Sequence, residues 1–181
     1  QIDLRIHRCA AGLAVVTEHE FAEGALHVGK AGGRLLLGQG VVTAAEMLSV
    51  AAFLEGRFAQ AFPSFGSERT GAPVVAYCRL DDREIRLREP ILEPDAVIIQ
   101  DPTLLNQVDV FGGLRPQGYI LINTTRSFEA LGLGDFVKGF PPDRLHTVPA
   151  TEIAMKRVGR PLPNAALLGA FAAATGLISL D

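Results

Sequence analysis

The chain reads as an α/β protein: a three-layer domain with a mixed, mainly parallel sheet plus a β-hairpin. Three observations carry this reading. Two short apolar runs, Ala96-Val97-Ile98-Ile99 and Tyr119-Ile120-Leu121-Ile122, have the unbroken hydrophobicity of strands buried on both faces. Segments with helical periodicity alternate with them along the chain. Two neighbouring segments, residues 74–80 and 84–88, instead alternate apolar with polar residues, as half-buried strands do.

Residues 4–7 read as a short first strand. Residues 41–62 read as a helix, because Val42, Ala45, Met47, Leu48, Ala51, Ala52, Leu54 and Phe58 recur at near-helical spacing. Thr43 and Glu46 have the spacing of a capping box, which places the start of the regular helix at Ala44. Pro63 is expected to end it. Residues 60–73 then read as a connecting loop. Val75, Tyr77 and Arg79 alternate with their neighbours in the next strand, and Ile85 and Leu87 do so in the one after. With Asp81-Asp82 as the turn, these two segments are expected to pair as an antiparallel hairpin.

The first buried run leads into Asp101-Pro102 and a short helix from Thr103. The second leads into Asn123-Thr124-Thr125, and residues 144–148 form a third strand candidate. Helices are expected at 151–158 and 164–177. The last is rich in Ala and Gly, which favours close packing. No linker is long enough to divide the chain, so residues 1–181 are read as a single domain.

Composition excludes several function classes. The chain has 181 residues, 48% of them apolar, enough for a real core. No apolar run approaches the ~18 residues of a membrane span, so no membrane insertion is expected. Asp3, Arg5, His7 and Arg8 interrupt any signal-peptide core, which leads to the expectation of a cytoplasmic location. A net charge of −3 with scattered cations argues against nucleic-acid binding. Cys9 and Cys78 lie far apart with no CxxC, as reduced packed thiols would. Two cysteines cannot supply a four-thiolate iron–sulfur site. His7, His19, His27 and His146 show no metal-ligand spacing, and Ser64 and Ser67 lie outside any nucleophile elbow. The expectation is therefore no catalytic residue and no metal ligand in this chain.

Candidate contact residues fall in four places. The stretch Ala61-Phe62-Pro63-Ser64-Phe65-Gly66-Ser67-Glu68-Arg69-Thr70-Gly71 sets aromatic rings beside hydroxyls and an acid–base couple. That composition suits a surface that grips a ligand or another subunit, with Ser64, Phe65, Ser67, Glu68, Arg69 and Gly71 as the contacts. Gly38-Gln39-Gly40 precedes a helix, where backbone N–H groups and the helix dipole can face an anion; a tight strand–helix turn is the alternative, since the Walker lysine is missing. Gly29 to Gly33, with Lys30, is a second Gly-rich candidate for such a contact, with a flexible surface loop as the simpler alternative. Asp101 stands at the C-terminal end of a buried strand, where open α/β sheets place ligands. It equally suits the cap of the following helix.

Four ordered stretches carry a family resemblance. They are Gly38-Gln39-Gly40-Val41-Val42-Thr43-Ala44-Ala45-Glu46, the loop from Ala59 to Pro73, Asp101-Pro102-Thr103-Leu104-Leu105, and Ala150-Thr151-Glu152-Ile153-Ala154 with Pro163-Asn164. From about Gly38 to Asp181 the chain resembles the gamma subunit, or gamma domain, of the 2-oxoacid (pyruvate/ketoisovalerate-type):ferredoxin oxidoreductases. The resemblance implies a gamma-type subunit of a multi-subunit enzyme that oxidatively decarboxylates a 2-oxoacid with CoA to acyl-CoA and CO2. Electrons would pass through iron–sulfur clusters on other chains to ferredoxin or another acceptor. Thiamine diphosphate, Mg and [4Fe-4S] clusters would belong to partners: thiamine-diphosphate-binding alpha and beta subunits and a ferredoxin-like cluster subunit. This chain alone would not be catalytic. Its contacts with CoA or a partner would involve Gly38, Gln39, Gly40, the 64–71 loop, Asp101 and Asn164. Two alternatives stay open: the same role in an aryl-2-oxoacid enzyme acting on indolepyruvate or phenylglyoxylate, and a stand-alone nucleotide- or CoA-binding module.

One segment departs from the resembled pattern. There, the first strand runs directly into the Gly-rich loop. Here residues 8–37 intervene, and Arg8, Gly12, Val15, Val16, Thr17 and Glu20 echo Arg34, Gly38, Val41, Val42, Thr43 and Glu46. The segment reads as an irregular insertion or a partial duplication.

Overall fold

The computed structural model describes residues 11–17, 40–65, 74–86 and 89–180. Within them lie six strands: β1 (Ala11–Thr17), β2 (Phe58–Phe65), β3 (Val74–Asp81), β4 (Ala96–Ile99), β5 (Tyr119–Asn123) and β6 (Leu145–Val148). Four α-helices accompany them: α1 (Gly40–Leu54), the short α2 (Gly134–Val137), α3 (Ala150–Val158) and α4 (Asn164–Thr175). The strands form one sheet in the order β2-β3-β1-β4-β5-β6. β1, β4, β5 and β6 are mutually parallel, whereas β3 runs antiparallel to both β1 and β2. The sheet is thus mixed and mainly parallel, with a hairpin at one edge, as expected.

Strand alternation sorts the core onto two faces. Ala96, Ile98 and Leu121 pack with Ala76, Cys78 and Leu80 against Val41, Ala45, Leu48 and Ala52 of α1 and Leu167, Phe171 and Ala172 of α4. Val97, Ile99, Ile120 and Ile122 point the other way, onto Leu104 and Val110, with Phe111, Phe128 and Phe140 around them. Both buried runs therefore fill two layers at once, which is why they lack alternation. The first face is covered by α1, α3 and α4. The second is covered by shorter pieces, a 3-10 turn at Pro102–Asn106 and the excursion between β5 and β6.

Four sequence expectations are corrected. The helix read over 41–62 starts at Gly40, ahead of the capping-box position at Ala44, and stops at Leu54. Its stop is Gly56, at φ +80°. Arg57 N–H donates to Ala52 O at 3.0 Å and Gly56 N–H to Phe53 O at 2.9 Å, the bond pair of a Schellman ending. Pro63 therefore does not end the helix. It sits inside β2, which occupies the sheet edge, where a residue without an N–H is tolerated.

The stretch read as a loop from Gln60 is accordingly strand as far as Phe65. Finally, β3 does form a hairpin, but with β2 rather than with the segment after Asp81. β1 and β2 occupy both sides of β3, so no ladder remains for that segment. It is tied down by Arg79 Nη2 donating to Glu89 O at 2.6 Å and by the Arg57–Asp82 ion pair at 3.3 Å.

The strand expected at residues 4–7 lies outside the described residues. A strand occupies Ala11–Thr17, within the segment read as irregular. Within the two echoing stretches, residues 11–17 form this strand and residues 40–46 open α1.

Candidate functional site

The parallel strands β4, β5 and β6 end side by side, at Ile99, Asn123 and Val148. Their C-terminal ends, with the segments that follow, surround an open depression of about 460 Å³. Gln100, Asp101 and Pro102 line it after β4, Asn123, Thr124 and Thr125 after β5, and Pro149, Thr151 and Glu152 after β6. This is the position at which open α/β sheets generally bind ligands.

Hydrogen bonds fix its walls. The Asn123 Nδ2 group donates to Gln100 O at 2.9 Å and to Thr151 Oγ1 at 2.8 Å, and Asn123 Oδ1 accepts from Thr151 N–H at 3.1 Å. α3 needs this help. Pro149 precedes it and gives no side-chain cap, so a side chain from β5 satisfies an otherwise free N–H of its first turn. Thr124 N–H donates to Val148 O at 2.9 Å and continues the β5–β6 ladder past its end.

The start of α4 is joined to the same wall. Gln100 Nε2 donates to Asn164 Oδ1 at 2.9 Å. A β-carbon added at Gly40 would lie 3.3 Å from Gln100 Oε1 and 3.7 Å from Asn164 Oδ1. Gly40 thus allows the first turn of α1 to approach this amide pair closely. Asp101 is a cap: its Oδ1 accepts from Thr103 N–H at 2.9 Å and from Thr103 Oγ1 at 2.7 Å, ahead of the Pro102–Asn106 turn. One oxygen of its carboxylate is committed to that turn, and the side chain still borders the depression.

Of the residues singled out from sequence, Gly40, Asp101 and Asn164 are brought together. Ser64 and Phe65 end β2, and the register carries Phe65 across Val74 and Thr17 to the neighbourhood of Ile99. They therefore reach the same edge of the sheet, three strand spacings or roughly 14 Å away. Phe62, by contrast, is held within its own sheet, with its ring 5.4 Å from Tyr77 and the Arg79 guanidinium 5.3 Å above it. Gly38, Gln39, Ser67, Glu68, Arg69 and Gly71 lie outside the described residues.

Sequence reasoning did not assign Gln100, Asn123, Thr124, Thr125, Thr151 or Glu152 to the site. The rule that singled out Asp101, a polar residue just past a buried strand, applies equally to Asn123 and to the segment after β6. Cys78 lies on β3 within the core, where burial pushes its thiol up to about 12, so it is neither nucleophile nor ligand. Among the described residues no three His, Cys, Asp or Glu side chains gather to hold a metal. Nor is any helix among them long and apolar enough to cross a membrane.

Known proteins match this arrangement. The family model described as pyruvate ferredoxin/flavodoxin oxidoreductase matches residues 36–181, a span that includes every residue lining the depression. Over 144 residues, 80% of this chain and 76% of the relative, the sequence is 53% identical to pyruvate synthase subunit PorC of Methanosarcina barkeri. With the same coverage it is 49% identical to the common subunit gamma of the pyruvate/ketoisovalerate oxidoreductases of Pyrococcus furiosus. The crystal structure of pyruvate oxidoreductase subunit PORC from Thermotoga maritima superposes with a TM-score of 0.67 at 31% identity, covering 96% of this chain and 80% of that one.

Proposed function

Because the chain belongs to the pyruvate ferredoxin/flavodoxin oxidoreductase family, as one of its gamma-type members, we propose that it serves as the gamma-type subunit of a multi-subunit enzyme for oxidative decarboxylation. The overall reaction converts a 2-oxoacid and CoA to acyl-CoA, CO2, a proton and two electrons. The electrons leave through iron–sulfur clusters on other chains to ferredoxin or another acceptor. The observation that carries this reading is the 53% identity to a PorC subunit across the family-matched span. The names of the similar proteins favour pyruvate or a branched 2-oxoacid over an aryl one.

In this reading the chain is an assisting subunit. The donor set of its described residues does not fit a thiolate-ligated cluster, since Cys78 is a buried, protonated thiol. Thiamine diphosphate, Mg and the clusters are assigned to the partner alpha, beta and ferredoxin-like subunits, where they supply the carbanion and electron-transfer chemistry. This chain's residues supply surface. Met47, Val50, Phe53 and Leu54 of α1 and Phe58 of β2 are exposed, a larger apolar display than a free domain favours. β2 ends at Phe65 on the sheet edge that holds the depression, and Arg69, four residues further along the sequence, suits a partner carboxylate or an anionic group of CoA.

Co-expression tests the reading. A tagged chain produced with its partner subunits is expected to copurify with them, and the complex to reduce ferredoxin with pyruvate and CoA. A panel of 2-oxoacids, including 2-ketoisovalerate and indolepyruvate, separates the substrate classes. A well-behaved monomer that binds CoA and ignores the other subunits would overturn the proposal in favour of a stand-alone CoA-binding module.

A further inference from the structure

α1 and α4 lie side by side and run in the same direction. Their first turns meet, since a β-carbon added at Gly40 would lie 3.7 Å from Asn164 Oδ1. Their ends meet as well. Arg57 Nη1, just past α1, donates to Leu177 O, just past α4, at 3.2 Å, and Ser179 N–H donates to Glu55 Oε1. The inner faces of both helices fill one core, with Val41, Leu48 and Ala52 beside Leu167 and Phe171. Their outer faces differ. α1 presents Met47, Val50, Phe53 and Leu54, all exposed. α4 presents Ala165, Gly169 and Ala173 at one-turn intervals, and a β-carbon added at Gly169 meets nothing within 4 Å. A ridge of large apolar side chains thus stands beside a trough floored by small ones.

Shape, charge and area all fit a second copy of the same chain on this face. A two-fold axis running between the two helices and along them lays the ridge of each copy on the trough of the other. One surface then supplies both halves of the contact, as a closed symmetric pair requires. Small residues on α4 let the opposing helix approach closely. Charge does not oppose the pairing, because α1 and α4 together contain one charged residue, Glu46, which precedes the ridge. Area is sufficient. With a Phe side chain offering roughly 150–250 Å², the four exposed ridge side chains and the α4 floor present on the order of 700 Å² in each copy. Pairing would cover roughly 1,400 Å² in total, inside the range of about 1,200–2,000 Å² typical of stable interfaces.

We infer that this face is where two copies of the chain pair, the α1 ridge of each seated on the α4 trough of the other. The pairing does not depend on the subunit role. Where that role also holds, each copy is gripped both by its own partner subunits and by the second copy, and losing the pairing weakens its retention.

The test is sedimentation equilibrium of the purified full chain. The wild type is expected to be a dimer that dissociates on dilution. Two variants attack the face from opposite sides. Gly169→Leu fills the trough, and Leu forms helix better than Gly, so the fold is kept. Phe53→Ser/Leu54→Ser removes the two most exposed ridge side chains. Each variant is first shown to unfold cooperatively and to keep the wild-type helix content. Either should weaken the dimer roughly tenfold or more. A wild type that stays monomeric up to its solubility limit would overturn the inference, the face then belonging to a different subunit or to the chain's own residues outside those described. A dimer that either variant leaves untouched would overturn it too, since the copies would then meet elsewhere. Open-ended aggregation without a dimer plateau would do the same, because a two-fold contact closes. Copurification with the partner subunits is measured separately, so failure of the subunit reading is distinguishable from failure of the pairing.

Discussion

Asn123 holds Thr151 with both ends of its side-chain amide, donating from Nδ2 to Thr151 Oγ1 at 2.8 Å and accepting from Thr151 N–H at Oδ1 at 3.1 Å. The same Nδ2 group reaches Gln100 O. One amide at the end of β5 thus joins the end of β4 to the start of α3. Asn123→Ala would strip a first-turn N–H of its cap and leave two acceptors short of a donor. The expected cost is about 1–3 kcal/mol, a fall of roughly 2–4 °C in Tm per kcal/mol for a domain of this size. Asn123→Asp keeps the cap and loses both donations. It should fall between the wild type and Asn123→Ala in a thermal melt, and equal melts for all three proteins would show that the contact contributes nothing.

Gly56 is the second position where one residue decides local structure. It lies at φ +80°, and nothing stands within 4 Å of an added β-carbon. Gly56→Ala therefore tests backbone strain alone. The expected destabilisation is about 1–2 kcal/mol, read as a lower midpoint in urea with an unchanged slope. A neutral result would mean that the Ala52–Arg57 closure tolerates a side chain.

Gly56 also explains why β2 was hidden in the sequence. Leu54 and Phe58 are four apart, so the helical period runs through the break without a change of phase, and Pro63 offered a later stop. Only a glycine followed by Arg marked the true end. The strands that became buried on both faces, β4 and β5, were legible because double burial leaves no polar positions in the run. Pairing was not legible in the same way. The alternation in β3 shows that it is half-buried, but which strand lies beside it depends on where β1 and β2 settle, a nonlocal matter. The site divides likewise. Asp101 was legible as a polar residue after a buried strand, while Gln100, Asn123 and Thr151 become one wall only when β4, β5 and β6 lie in parallel order.

Cys78 gives a pH prediction. Burial raises its thiol to about 12 in the folded chain, against about 8.5 for a free thiol. Below pH 8 both states hold the proton, and the group has no influence on the slope of stability with pH. Between about 9 and 12 the unfolded chain releases the proton and the folded chain keeps it, so stability falls as pH rises, approaching about 1.4 kcal/mol per pH unit from this group. Other groups titrate in that range, so the measurement is a comparison. Urea midpoints from pH 8 to 10.5 should fall more steeply for the wild type than for Cys78→Ala. Parallel curves would place the thiol in contact with water, and alkylation at Cys78 of native protein at pH 8, read by peptide mapping to separate it from Cys9, would then be fast rather than slow.

The exposed face of α1 separates stability from assembly. Phe53 is 72% exposed and Leu54 79%, so neither side chain contributes much to the isolated fold. Replacing both with Ser should change the melt of the isolated chain by less than about 0.5 kcal/mol per site and reduce its self-association. In a complex whose partner covers this face, the same change removes two apolar contacts. Each fully buried aromatic or aliphatic side chain is worth about 1.5–3 kcal/mol relative to exposure, so retention should weaken by tenfold or more. Val50, on the same helix and 58% exposed, provides an independent check through Val50→Ser. If the double variant melts normally and is retained as tightly as the wild type, α1 faces solvent in the complex, and the subunit contact must be sought at the sheet edge near Phe65 and the strand ends instead.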